Sequence, residues 1–158
     1  MQFKIEQIAI RPENRERARA LLEKIGLAAW IDDKAAAAGS VRGDLARNVA
    51  DLSFCYDGEP AKPLELELIN YEYGRNWLPL GASIVSHVGM HCTLAELAEW
   101  RALFASEGIE PVQEVTTTSH SNPAIAQSRR YHYCIFGTRE ILGLDLKFIV
   151  RLDSGAAA

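Results

Sequence analysis

The sequence has little of what marks a specialised class. It holds three cysteines, Cys55, Cys92 and Cys134, an odd number without CxxC spacing. That argues against a disulfide framework or a zinc knuckle and for reduced, mostly buried thiols in a cytoplasmic protein. No apolar run approaches the roughly 20 residues needed to cross a bilayer, so no membrane association is expected. The opening "MQFKIEQIAI" reads as a strand and lacks the regions of a signal peptide. Neither sign of charge dominates. Seventeen Lys and Arg against 21 Asp and Glu give a net charge of −4, with no basic footprint for nucleic acid or anionic lipid. What is there is ordinary: 48% hydrophobic and 24% charged residues over 158 positions. That is enough for one domain, or for two small modules sharing a core.

The order of elements is more informative. "FKIEQIAIR" (3–11) is a strand. "PENRERARALLEKIG" is a helix, with Pro12 in its first turn, Gly26 at its stop and an apolar stripe of Ala18, Leu21, Leu22 and Ile25. "LAAWI" is a short strand or an approach to one. Residues 32–48, "DDKAAAAGSVRGDLARN", are ambiguous: the alanines permit a helical turn, while glycines and charges suggest a surface excursion that would cover one end of a site. "VADLSFCYD" and "PLELELINYE" are strands, turned by "GEPAK". After a link over 73–83 the pattern repeats. "IVSHVGMHC" is a strand, and a helix follows with a Thr93/Glu96 capping box and a stop at Gly108. Then come "EPVQEVTTT", "RRYHYCIFGT" and "EILGLDLKFIVRL". The chain thus divides into βαβββ modules at 1–72 and 84–152, with 153–158 a disordered tail. An internal repeat of this kind organises everything else. Its register is consistent. Gln7 matches His87 and Glu67 matches Lys147, each pair 80 residues apart.

On these features the chain resembles the vicinal oxygen chelate superfamily, which includes glyoxalase I, extradiol dioxygenases and bleomycin-resistance proteins. The resemblance spans about residues 3 to 152. It implies an α+β fold in which two βαβββ modules form a cupped mixed sheet, helices on the convex face and a divalent metal or small ligand in the concave one. It also implies, by analogy, a homodimer. Family metal ligands come from the first and last strand of each module. The matching positions are Gln7, Glu67, His87 and Lys147. Three resemble the glutamine, glutamate and histidine ligands of glyoxalase I; the fourth departs, because the family's usual glutamate is a lysine.

Alternation along the strands gives the same cup independently. Glu65 and Glu67 share a face, His87 and His91 share one, and Asp145, Lys147 and Arg151 share one. If the apolar faces pack on the helices, these residues line the concavity and need partners there. Two readings follow. Gln7, Glu67 and His87 could bind Zn, Ni, Mn or Fe and support a metal-dependent lyase, isomerase or dioxygenase. Against that, the Lys147 ammonium repels a dication and could pair with Glu67 in the metal's place, leaving a degenerate metal site and no cofactor. The favoured expectation is this second one, a small molecule in a polar cup, with Lys147 and Glu67 the candidate catalytic pair should the protein be an enzyme. Glu65, His91, Asp145, Tyr133 and Arg151 are the remaining candidate ligand contacts. In "YHYCIF" the tyrosines are expected in the cup and His132 on the core side. His120 reads as solvated, Trp77 as an anchor in the link, and Arg129 with Arg130 as a surface basic spot.

Overall fold

The computed structural model describes residues 1–57, 64–74, 85–126 and 130–152. Trp77, Arg129, most of the 73–83 link and the 153–158 tail lie outside the described residues. The first half contains β1 (Gln7–Ile10), α1 (Arg15–Lys24), β2 (Trp30–Val41), β3 (Asp44–Asp57) and β4 (Leu64–Gly74). The second contains β5 (Val85–His91), α2 (Leu94–Ser106), β6 (Pro111–His120), β7 (Tyr131–Phe136) and β8 (Asp145–Arg151). The single-turn helices α3 (Pro123–Ala126) and α4 (Arg139–Leu142) sit in its loops. The α+β order of two βαβββ units is as expected.

The cupped sheet closes on itself, in the order β1-β4-β3-β2-β6-β7-β8-β5. The two halves meet at two seams, β1 against β5 and β2 against β6, both antiparallel. Ile8 pairs with Val88 at the first seam and Ala37 with Thr117 at the second. Members of each pair are 80 residues apart, the offset of the repeat, so a pseudo-twofold axis passes through both seams.

Residues 32–48 correct the sequence reading. They form neither a helical turn nor a surface excursion but most of a long hairpin. β2 is paired along its length with β3 and over Ala35–Val41 with β6. Two neighbouring strands satisfy the backbone of the alanine run, and that pairing overrides its helical tendency. The hairpin turns at Arg42 and Gly43, both at positive φ (50° and 84°) between the paired Val41 and Asp44, the geometry of a two-residue primed turn. Gly39 has a different role: a Cβ there would lie 2.1 Å from the Glu114 carbonyl oxygen, so the second seam closes only over a bare backbone.

The helices are unequal. α2 has the expected capping box and buries Leu97, Trp100 and Phe104 on the convex side. There they meet Phe136 and Phe148, with Phe104 and Phe136 stacked at 4.4 Å between ring centroids. α1 begins later than expected. Asn14 is its N-cap, accepting from Arg17 N at 2.9 Å, so Pro12 precedes the helix instead of opening it. Its apolar stripe does not dock as a whole: Ala18 and Leu22 are half-buried, while Leu21 and Ile25 are exposed and no residue is fully buried. α1 is held in part by polar contacts, with Arg19 bridging Glu23 (2.9 Å) and Asp32 (2.7 Å).

Candidate functional site

The barrel's inner face carries two kinds of surface. One wall is mostly apolar, with Ala35 and Ala37 from β2, Ala50 and Leu52 from β3, Ile69 from β4 and Val115 from β6, interrupted by Asn48 from β3 and by Gln113 and Thr117 from β6. The opposite wall is polar, formed by Glu67, His87, Tyr133 and Lys147. Between them lies a cavity with about 520 Å³ of open space, part of it solvent at the mouth. Strand alternation puts these polar groups inside, and the β1–β5 seam brings Gln7 beside them. Gly89 faces Gln7 across that seam; a Cβ there would lie 3.1 Å from Gln7 Oε1, so the glycine leaves the amide its space.

Gln7 is the hub. Its Nε2 donates to Glu65 Oε1 at 2.5 Å, and its Oε1 accepts from Lys147 Nζ at 3.1 Å. A carboxylate on one side and an ammonium on the other fix which way the amide points. His87 Nε2 lies 3.3 Å from Gln7 Oε1 and 3.5 Å from Glu67 Oε2. Facing two acceptors, Nε2 is the ring nitrogen placed to donate to them. Lys147 Nζ is 3.7 Å from Glu67 Oε2 and 4.4 Å from the centre of the Tyr133 ring, in cation–π contact. The expected Lys147–Glu67 pair is therefore present as a long ion pair, while the nearer partner of Lys147 is Gln7. Glu67 Oε2 is buried and, among the described residues, receives no hydrogen bond of ordinary length.

These groups set one another's charge. Burial pushes Glu67 towards neutrality, but Lys147 and the His87 ring outweigh it and hold the carboxyl below its ordinary range. Burial, reinforced by Lys147, takes His87 down to about 4, so the imidazole is neutral at pH 7. Burial and the Glu67 charge raise Glu65 to about 7.

Gln7, Glu65, Glu67, His87, Lys147 and Tyr133 thus come together as expected. Three other candidates stand apart. Asp145 is held by Arg139 from α4 at 3.0 Å. His91 has a 47% exposed side chain beside Glu6, at 3.3 Å. Arg151 is exposed at the end of β8. His120 is a correction: its side chain is not solvated but only 7% exposed, packed against Asp33 with Nδ1 at 2.5 Å from Oδ2. Asp33 lies inside the hairpin read as a surface excursion, so the sequence offered His120 no visible partner. Sequence reasoning also missed Asn48, Gln113 and Thr117 on the cavity wall. Gln113 and Thr117 alternate with Val115's neighbours in "PVQEVTTT", and that spacing was the available signal.

Solved structures with this arrangement span almost the whole chain. A Streptomyces coelicolor methylmalonyl-CoA epimerase variant in complex with 2-nitronate-propionyl-CoA is 11% identical, covering 96% of this chain and 95% of its own, with a TM-score of 0.52. A hypothetical protein from Bacillus halodurans C-125 is 12% identical over 95% of both chains, with a TM-score of 0.51. A methylmalonyl-CoA epimerase in complex with methylmalonyl-CoA and NH4+ is 10% identical, covering 96% of this chain and 95% of its own, with a TM-score of 0.50. Methylmalonyl-CoA epimerase is a vicinal oxygen chelate superfamily member. The fold is the vicinal oxygen chelate fold. No protein-family model matches the sequence, and no curated protein matches it significantly.

Within the vicinal oxygen chelate fold the question is whether this cup suits a divalent metal. Gln7 Oε1, Glu67 Oε2 and His87 Nε2 converge, with His87 Nε2 3.3 Å and 3.5 Å from the two oxygens. The same two oxygens, however, hold the Lys147 ammonium at 3.1 Å and 3.7 Å. A dication among these three donors would sit against that charge in a low-dielectric interior. Among the described residues no group of three or more His, Cys, Asp or Glu side chains is arranged to hold a metal ion. The residues present do not fit a resident dication while Lys147 is charged.

Proposed function

We propose that the cup is a metal-independent small-molecule binding site in which the Lys147 ammonium takes the place of a metal ion. The observation that carries this reading is the position of Lys147 Nζ, 3.1 Å from Gln7 Oε1 and 3.7 Å from Glu67 Oε2. The ammonium supplies a fixed positive charge to the two oxygens that would otherwise face a cation. The ionisation states favour binding over proton transfer. Glu67, held ionised below its ordinary range, is a weak base. His87, lowered to about 4, is a weak base as well. Glu65, at about 7, is poised for proton exchange, but its carboxyl is bound to Gln7.

The competing reading is a metal-dependent lyase, isomerase or dioxygenase using Gln7, Glu67 and His87. The convergence of these three groups, and the absence among the described residues of a hydrogen bond of ordinary length to Glu67 Oε2, favour it. Metal analysis separates the two. The purified chain is incubated with excess Zn²⁺ or Ni²⁺, desalted and assayed for bound metal. Far less than one ion per chain is expected. Near-stoichiometric metal, lost in His87→Ala, overturns the proposal.

A further inference from the structure

We infer that the cup selects a neutral hydroxyl group, that of a small alcohol or phenol, docking between Glu67 Oε2 and Lys147 Nζ with its apolar body against the alanine-lined wall. The inference rests on the metal-independent reading above. It starts from an acceptor held only by long ion contacts: Glu67 is 3% exposed, lines the cavity, and among the described residues its Oε2 receives no hydrogen bond of ordinary length. A buried ionised oxygen whose donors stand 3.5 Å and 3.7 Å away is under-satisfied, so a ligand that donates to it at ordinary length gains a charge-assisted bond at a site already desolvated.

The neighbours of that oxygen narrow the donor. Lys147 Nζ lies 3.7 Å away and His87 Nε2 3.5 Å away, both facing the same oxygen. A ligand ammonium can donate to Oε2 but would meet the Lys147 charge at close range. A carboxylate, ketone or ether oxygen can accept from Lys147 but has no proton for Oε2. A hydroxyl does both through one atom: its O–H donates to Glu67, and its oxygen accepts from the ammonium, which has N–H groups beyond the one on Gln7. The ion pair already balances the charge, so the ligand needs none. The facing wall, with Ala35, Ala37, Ala50, Leu52 and Ile69, suits a hydrocarbon body, and its only polar lining, Asn48, Gln113 and Thr117 among the described residues, is uncharged.

The test is a matched set of probes titrated calorimetrically into the intact protein with a chelator present: benzyl alcohol, benzyl methyl ether, benzylammonium and benzoate. The alcohol is expected to bind at least tenfold more tightly than each of the others. Glu67→Gln should bring the alcohol and the ether within about threefold of each other. If that variant does not fold, the comparison on the unmodified protein stands alone. The inference is overturned if the ether binds as tightly as the alcohol, if benzylammonium or benzoate binds more tightly, or if no probe binds in the millimolar range. Metal content is measured separately, so failure here with a metal-free protein leaves the metal-independent reading standing. Stoichiometric metal would remove that reading whatever the probes do.

Discussion

Gln7 Nε2 donates to Glu65 Oε1 at 2.5 Å, tying a buried carboxyl on β4 to the parallel strand beside it. That carboxyl stands at about 7, against 4.5 ordinarily. Between those values the folded chain keeps a proton that the unfolded chain has released, so Glu65 makes stability fall as pH rises. His87 does the reverse. Its folded value is about 4 against 6.5, so as pH falls through this range the unfolded chain takes up the proton first, and His87 makes stability rise with pH. The two windows overlap and the slopes oppose. Glu65→Gln should therefore show stability rising from about pH 4 to 6.5, and His87→Gln should show it falling from about pH 4.5 to 7. Each change is on the order of 3 kcal/mol relative to the unmodified protein. Urea unfolding at stepped pH reads both, and parallel profiles for all three proteins would refute the assignment.

Removing the ammonium should be expensive. Lys147→Met leaves Glu67 buried with no full countercharge and is expected to lose about 3–5 kcal/mol. The double variant Lys147→Met/Glu67→Gln should recover much of that loss, because no charge is then stranded. A double-mutant cycle by chemical denaturation measures it, and simple additivity would show that the pair is not coupled.

Asp33 anchors the end of β6. It accepts from His120 Nδ1 at 2.5 Å and from the backbone N–H groups of Ser121 and Asn122, each at 3.0 Å. Asp33→Ala strands these donors and should cost on the order of 2–4 kcal/mol. Amide exchange should quicken at Ser121 and Asn122 ahead of the barrel as a whole. Unchanged protection there would contradict the anchoring role.

The second seam offers a steric test. Gly39→Ala places a methyl 2.1 Å from a backbone oxygen and should cost more than about 2 kcal/mol. Gly43→Ala, at a positive-φ turn with nothing near the added carbon, should cost about 1 kcal/mol. Thermal unfolding should rank the two in that order.

The inequality of the helices predicts unequal tolerance. Trp100→Ala should lose about 3–5 kcal/mol, while Leu21→Lys, at a position 62% exposed, should fall within about 0.5 kcal/mol of the unmodified protein. Equal losses would mean that α1 packs more tightly than its exposure indicates.

The polar face of each terminal strand was legible from period-two alternation, a local signal, and the repeat from the matching of the two halves at an 80-residue offset. They pointed Glu65, Glu67, His87 and Lys147 into one cup, and the family resemblance added Gln7. What resisted reading was whatever depends on a distant partner. The alanines of β2 become a strand because β3 and β6 flank them. The His120 side chain is covered because Asp33, 87 residues away, waits for it. Asp145 and His91 share faces with true cup residues, yet Arg139 and Glu6 engage them first. The stripe on α1 was visible, but nothing in the sequence told how little of it the sheet would cover.

The pseudo-twofold axis has a consequence for ancestry and assembly. It carries Glu67 onto the position of Lys147 and Gln7 onto that of His87. Two copies of the first half, closed into the same barrel, would confront glutamate with glutamate. Two copies of the second would confront lysine with lysine. Only the mixed pairing neutralises itself, so the covalent joining of two diverged halves enforces a charge match that identical halves could not make.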